Sequence, residues 1–336
     1  MRIQTTHVGS LPRPDEMVTR QAKKEAIDSA DLHRYTSDII KRQLAAGLSI
    51  VNTGEIHRSD YINATTTRLS GFGGTCTAPL PRDMEELPPY SRRFGGRNGL
   101  ITLNPKAPIS LPACTSAVRY TGASSLREEL DSLITVHNEQ KALYPESSVF
   151  FTAPSPGTVA LFLENQYYPN QQSYLEALSE ALAEEYKIIR SYGVYLQVDC
   201  PDLAMGRHTA YKEMSDDEYI SLIETNIAVL NGALSEVDSE LCRAHICWGN
   251  YPGTHHCDIG LEVIFDSIVK LKPRFLSIES CNHRHAHEWE LFQTRSFPAN
   301  KVLMPGVIDT TSNTVEHPDL VAKRLLDFAS SLGPDR

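Results

Sequence analysis

Apolar positions recur along the chain in two rhythms. Short, nearly continuous apolar runs fall at residues 48–54, 149–153, 195–199, 241–247, 275–279 and 302–309, with weaker candidates at 114–120 and around 7–11. Runs of this length bounded by polar residues predict buried strands. Between them the spacing turns helical. Leu175, Leu178, Leu182, Tyr186 and Ile189 share one face of a helix expected over 170–190, which Gly193 stops. Ser215-Asp216-Asp217-Glu218 predicts a capping box that opens a helix carrying Ile220, Ile223, Ile227 and Leu230. Residues 316–332 predict a last helix, with Pro318 near its start and Gly333 beyond its end. Alternating strands and helices predict a parallel sheet covered by helices. About eight such units predict an α/β protein of the (β/α)8 TIM-barrel type, a single domain over residues 1–336. An open, doubly wound sheet is the alternative. No glycine-rich phosphate turn opens any of the helices, which argues against dinucleotide binding.

One stretch breaks the rhythm. Residues 56–112 are rich in Gly, Pro and Arg, as in Gly71-Phe72-Gly73-Gly74 and Pro88-Pro89, and carry no long helical period. They predict an irregular excursion after the second strand. Two readings stand side by side: a hairpin reaching over the site, or a solvated surface insertion.

Composition narrows the function classes. The 336 residues are 41% hydrophobic and carry a net charge of −10. With no run of Lys and Arg, nucleic acid is not an expected partner. No apolar run approaches the ~20 residues of a spanning helix, so no membrane partner is expected. Met1-Arg2-Ile3-Gln4-Thr5-Thr6-His7 lacks the apolar core of a secretion signal, which points to the cytoplasm. Seven cysteines, at 76, 114, 200, 242, 247, 257 and 281, are odd in number and lack a framework spacing, so free thiols are expected. Oligomeric state is not legible.

The chemistry concentrates at strand ends. His245-Ile246-Cys247 places an imidazole and a thiol on one face of a strand. Both are ligands that Zn2+ prefers. The next expected strand ends in Glu279, so His245, Cys247 and Glu279 are candidate metal ligands. A zinc with thiolate ligation suits a thiol substrate, whose pKa it lowers. The alternative is a core pair of His245 and Cys247 without metal. Directly after Glu279, Cys281-Asn282-His283-Arg284-His285-Ala286-His287-Glu288 offers ligands, acid–base groups or hydrogen-bond donors, or is a solvated loop. Gly253-Thr254-His255-His256-Cys257-Asp258 is a competing metal site on a less regular segment. Glu55, Asp199, Asp202 and Asp309 follow strands, and several carboxylates on one rim repel unless they meet a cation, either a metal or an ammonium-bearing substrate. Helix capping is the competing explanation, and it suits Asp202 best.

Together these residues resemble a family. Thr6-His7-Val8-Gly9-Ser10-Leu11-Pro12-Arg13-Pro14 is similar to the opening of the cobalamin-independent methionine synthase catalytic domain and its short relatives, which include archaeal methionine synthases and epoxyalkane:coenzyme M transferases. The similarity continues through Thr53-Gly54-Glu55, Asp199, His245-x-Cys247, Ile278-Glu279 and Gly306-Val307-Ile308-Asp309, in order, over nearly the whole chain. The resemblance implies a (β/α)8 barrel with one zinc held by His245, Cys247 and Glu279. It implies that Gly9 and Ser10 hold a substrate carboxylate through backbone N–H groups, and that Glu55 and Asp199 hold an amino group. Three departures stand out. The family's late cysteine, in an Asp-Cys-Gly segment, is not met before Gly333-Pro334-Asp335-Arg336. Thr311 stands where methionine synthases place a catalytic histidine. Thr152-Ala153-Pro154-Ser155-Pro156-Gly157 replaces their folate-binding region. The departures favour the short relatives over methionine synthase itself.

The leading expectation is a zinc-dependent alkyl or methyl transferase acting on a small thiol and an electrophile, either a methyl donor or an epoxide. In it His283, His285 or Arg284 polarises the leaving group, and Asp309 sits at the last strand end. Alternatives are a barrel repurposed for rearrangement or elimination by acid–base groups, and a non-catalytic zinc-binding barrel.

Overall fold

The computed structural model describes residues 3–23, 25, 28–58, 61–89 and 109–336. Its strands are β1 (Ile50–Val51), β2 (Leu69–Thr77), β3 (Ser110–Tyr120), β4 (Ser148–Pro154), β5 (Tyr195–Asp199), β6 (Cys242–Ile246), β7 (Phe275–Glu279) and β8 (Val302–Gly306). Six of them form one parallel sheet in the order β1-β4-β5-β6-β7-β8. The order never reverses, so the sheet is singly wound and the doubly wound alternative is set aside. A parallel bridge between Thr6 and Ile50 sets the N-terminal segment beside β1. Among the described residues the six-strand sheet makes an α/β half-barrel, and no pairing joins β8 to that segment.

The helices form where local signals direct them. Asn170 caps the helix Gln171–Ser191 by accepting the Ser173 N–H at 2.9 Å. The capping box is present at Asp216–Ala233: Ser215 N–H donates to Glu218 at 2.8 Å and Glu218 N–H to the Ser215 hydroxyl at 3.3 Å. Pro318–Leu332 ends at Gly333, whose φ of 85° reverses the chain. Leu175, Leu178, Leu182, Tyr186 and Ile189 pack in one core with Leu196, Val198, Ala244, Ile246, Leu276 and Ile278 of the sheet. The alternate strand positions, Gln197, Asp199, Arg243, His245, Ser277 and Glu279, therefore share the opposite, inner face. Among the described residues no helix is long and apolar enough to cross a membrane.

The weak strand candidate at 114–120 is a strand, but it does not join the parallel sheet. β3 pairs antiparallel with β2, from Leu69 opposite Tyr120 to Thr77 opposite Ser110, with register shifts between. The expected irregular stretch thus contains a hairpin, the helix Tyr61–Arg68 and the short helix Arg82–Glu86, while residues 90–108 lie outside the described set. The short helix docks on the loop that follows β6. Buried Asp83 accepts from the Tyr251 hydroxyl at 3.0 Å and the His255 N–H at 2.9 Å.

Candidate active site

Register decides what meets at the strand ends. Pro154, Asp199, His245 and Ser277 are successive partners across β4, β5, β6 and β7, and Thr152, Gln197, Arg243 and Phe275 form the row beneath. On the inner face this sets the Asp199 carboxyl beside the His245 imidazole, above Gln197 and Arg243.

The lower row anchors the N-terminal segment. Arg243, fully buried, donates to Gln197 Oε1 at 2.7 Å, to Thr6 Oγ1 at 3.2 Å and to the His7 carbonyl at 3.0 Å. Gln197 donates to the Val8 carbonyl at 2.6 Å, and Asn52 to the Gly9 carbonyl at 2.9 Å. Three successive carbonyls are held by the sheet, and Gly9 is fixed in a buried position with exposed Ser10 after it. A Cβ on Gly9 would stand 3.0 Å from Glu55 Oε1, so this glycine gives the carboxylate its space.

Glu55 adopts φ of 58°, a left-handed conformation that costs a non-glycine residue energy, the kind of strain that clusters at functional sites. Thr152 Oγ1 donates to Glu55 Oε1 at 2.6 Å, and Arg58 in turn holds the Thr152 hydroxyl at 2.9 Å and carbonyl at 3.0 Å. Burial pushes the Asp199 carboxyl up to about 8, and the negative charge of Glu55 adds to the rise, partly offset by the Gln197 amide at 2.7 Å. Although Asp199 keeps a partly accessible edge, its carboxyl is walled in. Glu55 and Asp199 form a carboxylate–carboxyl pair with Arg58 3.8 Å from Glu55 Oε1, and a further cation between them would favour loss of the Asp199 proton.

His245 is held neutral: burial, with the Arg243 charge adding to it, lowers its imidazole to about 4. Its Nδ1 is buried and has no hydrogen-bond partner. Burial pushes the Cys247 thiol up to about 12, aided by Asp199, Glu279 and Asp258. Glu279, at the end of β7, accepts from the Cys281 and Asn282 N–H groups, each at 3.3 Å, and from the Cys281 thiol at 3.4 Å. Nitrogen, sulfur and oxygen donors on neighbouring strand ends suit zinc, and an orphaned buried nitrogen is what a metal would satisfy. Among the described residues, however, the donor atoms drawn within 4.8 Å of one another belong to Glu86, His256 and Cys257. Those of His245, Cys247 and Glu279 stand further apart in this conformation.

The remaining candidates separate. His283 and Arg284 are exposed. His285 is buried, its Nδ1 2.9 Å from Glu288 Oε2 and its Nε2 3.0 Å from Asp258 Oδ2, so both ring nitrogens are engaged. Burial lowers its pKa, but the two carboxylates reverse this and lift it to about 9. It stacks on Trp248 at 4.0 Å, beside Cys247 in sequence. Asp258 also accepts from His255 Nδ1 at 2.8 Å and stands 3.2 Å from His208 Nδ1. Asp309 lies beyond β8, which ends at Gly306 and not at 309, and caps a turn by accepting the Thr311 N–H at 2.9 Å and hydroxyl at 2.7 Å. The sequence reading missed Arg243, Gln197, Asn52, Thr152 and, among the histidines around Asp258, His208. The clue for the first two was parity, since polar residues two positions below His245 and Asp199 share their face.

The chain is 22% identical over 339 residues to the methionine synthase of Saccharolobus solfataricus, a match covering 99% of this chain and 85% of that protein. It is 23% identical over 370 residues to the 2-hydroxypropyl-CoM lyase of Xanthobacter autotrophicus, covering 99% and 86%. The solved structure of a B12-independent methionine synthase from Shewanella sp. W3-18-1, in complex with selenomethionine, superposes with a TM-score of 0.70 at 19% identity, covering 100% of this chain and 89% of that one. No family model matches. The protein therefore has homologues named methionine synthase and 2-hydroxypropyl-CoM lyase, and it shares the fold of the B12-independent methionine synthase.

Proposed function

We propose that this protein is a zinc-dependent enzyme that activates a small thiol for alkyl or methyl transfer, built as a single (β/α)8 barrel domain in which residues 56–112 are an insertion. The observation that carries the reading is the inner rim, where the unpaired His245 nitrogen, the Cys247 thiol and the Asp199–Glu55 carboxyl pair come from neighbouring strand ends. His245, Cys247 and Glu279 would hold the metal, which when bound supplies a substrate thiolate at neutral pH. Glu55 and Asp199 bind the ammonium group of an amino-thiol substrate, whose charge would favour the ionised Asp199 carboxylate. The N–H groups of Gly9 and Ser10 take its carboxylate. His283 and Arg284, exposed on the loop after β7, orient the electrophile and stabilise the leaving group, and Asp309 shapes the rim opposite. His285 acts through Asp258 and Trp248 as a positioning residue.

A second reading is elimination by acid–base groups. The lyase among the relatives favours it, as does a carboxyl at Asp199 that keeps its proton near neutral pH and can return it.

Cobalt substitution tests the leading reading. A small amino thiol added to cobalt-loaded Cys257→Ala protein should change the thiolate-to-cobalt absorption, and adding Cys247→Ala should abolish that change. A spectrum indifferent to every thiol in a panel, or a doubly substituted protein that responds as Cys257→Ala does, would overturn it.

A further inference from the structure

A different cluster assembles outside the barrel rim, where the helix Arg82–Glu86 meets the loop after β6. His256 Nε2 lies 2.9 Å from Glu86 Oε2, and Cys257 Sγ lies 3.7 Å from the same oxygen. The donor atoms of all three residues are within 4.8 Å of one another. Glu86 and Cys257 also line a cavity of about 320 Å3, shared with Arg82, Arg207 and Asp216.

The surroundings fix the donors in place. His256 Nδ1 is 2.7 Å from Thr254 Oγ1, and the Thr254 hydroxyl stands 3.5 Å from Asp83 Oδ2. When Nδ1 carries the ring hydrogen and donates it to Thr254, the Nε2 lone pair faces the Glu86 carboxylate, which is the tautomer a metal-bound His256 needs. Arg82 Nε donates to Glu86 Oε1 at 2.8 Å, which orients the carboxylate and leaves Oε2 turned to His256 and Cys257. These are the outer-shell contacts that orient metal ligands.

We propose that Glu86, His256 and Cys257 form a second, independent site for a zinc-class divalent cation. One nitrogen, one sulfur and one carboxylate oxygen are a donor set zinc accepts, and the fourth position opens to water from the cavity. On binding, the Cys257 thiol proton leaves to solvent and the sulfur coordinates as thiolate. The cation clips the segment after β2 to the loop that begins at Cys247. The proposal does not depend on metal at His245, Cys247 and Glu279.

The test uses full-length Cys247→Ala protein, stripped of metal and titrated with Co2+. It should bind one equivalent with a thiolate-to-cobalt absorption band. Adding Cys257→Ala or His256→Ala should abolish the band, and Glu86→Gln should weaken binding by roughly tenfold or more. Glu86 and His256 are exposed, so these changes leave the core untouched. In otherwise unaltered protein, Zn2+ should protect Cys257 from alkylation, read by mass spectrometry. Cys247→Ala protein that takes up no cobalt, a band that survives in Cys257→Ala, or Cys257 alkylation unaffected by Zn2+ would overturn the proposal.

Discussion

Asp199 and His245 are direct partners on adjacent parallel strands, so a carboxyl and an imidazole leave the sheet side by side. Burial holds both uncharged, Asp199 by raising its pKa and His245 by lowering it. The arrangement is a poor choice for stability alone, because both groups give up solvation, and the Gln197 amide and the Arg58 and Arg243 charges offset only part of that loss at Asp199. It is suited to accept cations, an ammonium at the carboxyl and a metal at the ring nitrogen.

Asp199→Asn should therefore separate stability from binding. The folded protein disfavours the Asp199 carboxylate, which costs stability as pH rises above the ordinary carboxyl range. The amide removes that cost, so the melting temperature should hold or rise. Binding of thiols bearing an ammonium group should weaken by about 1.5–3 kcal/mol, the range for a hydrogen bond to a charged group. Thiols without the ammonium should bind unchanged. Calorimetric affinities for the two thiol classes, set beside melting curves, decide the matter; equal losses for both would refute an ammonium role.

Gly9→Ala tests the space left for Glu55. The new methyl would press on Glu55 Oε1 at 3.0 Å and on Thr152 Cγ2 at 3.6 Å. Glu55 must shift by a few tenths of an ångström, which strains its 2.6 Å bond from Thr152. The cost to folding should stay within about 1–3 kcal/mol, as for a local overpacking, while affinity for an amino thiol falls at least ~10-fold, or 1.4 kcal/mol. Unchanged affinity would show that Glu55 does not face the ligand.

The parts that were legible in the sequence are those fixed by local chemistry. The helices Gln171–Ser191, Asp216–Ala233 and Pro318–Leu332 carry their caps and stops within a few residues of their ends. β5 and β7 coincide with the apolar runs at 195–199 and 275–279. β3 was misplaced because its partner β2 lies some forty residues earlier, and pairing at that distance leaves no local trace. The Asp199, His245 and Glu55 rim followed from strand ends. The anchoring of His7 by Arg243, 236 residues apart, did not. Nor did the convergence of His208, His255 and His285 on Asp258, since each arrives on a separate loop.

The histidines around Asp258 predict a pH dependence. His285 has its pKa raised to about 9 from an ordinary 6.5. A group with a raised folded pKa contributes stability that is complete below its unfolded value and lost as pH climbs through the folded one. Stability should thus decline between about pH 6.5 and about pH 9. His285→Gln should be less stable at pH 6 and should show a flatter profile across that window. Urea unfolding at a series of pH values checks this, and parallel profiles for the two proteins would contradict the charge assignment.

The last prediction concerns Arg243, which ties the N-terminal segment to the sheet. Its guanidinium lies 3.8 Å from the centre of the Phe150 ring and donates to Gln197, Thr6 and His7. Burial lowers its pKa to about 9, which still leaves it charged at neutral pH. Methionine at this position would keep the packing over Phe150 but strand the Gln197 Oε1 and His7 carbonyl acceptors. Each unsatisfied buried group costs about 1–3 kcal/mol. The chain has a cheaper way out, which is to release residues 6–9 and let water reach those groups. Arg243→Met should therefore lose hydrogen-exchange protection at residues 6–9 while the helix Gln171–Ser191 stays protected. Ligand affinity should fall with it, because Gly9 loses its fixed position. Intact protection at 6–9 would mean that the Gln197 and Asn52 contacts suffice, and that Arg243 serves the sheet rather than the arm.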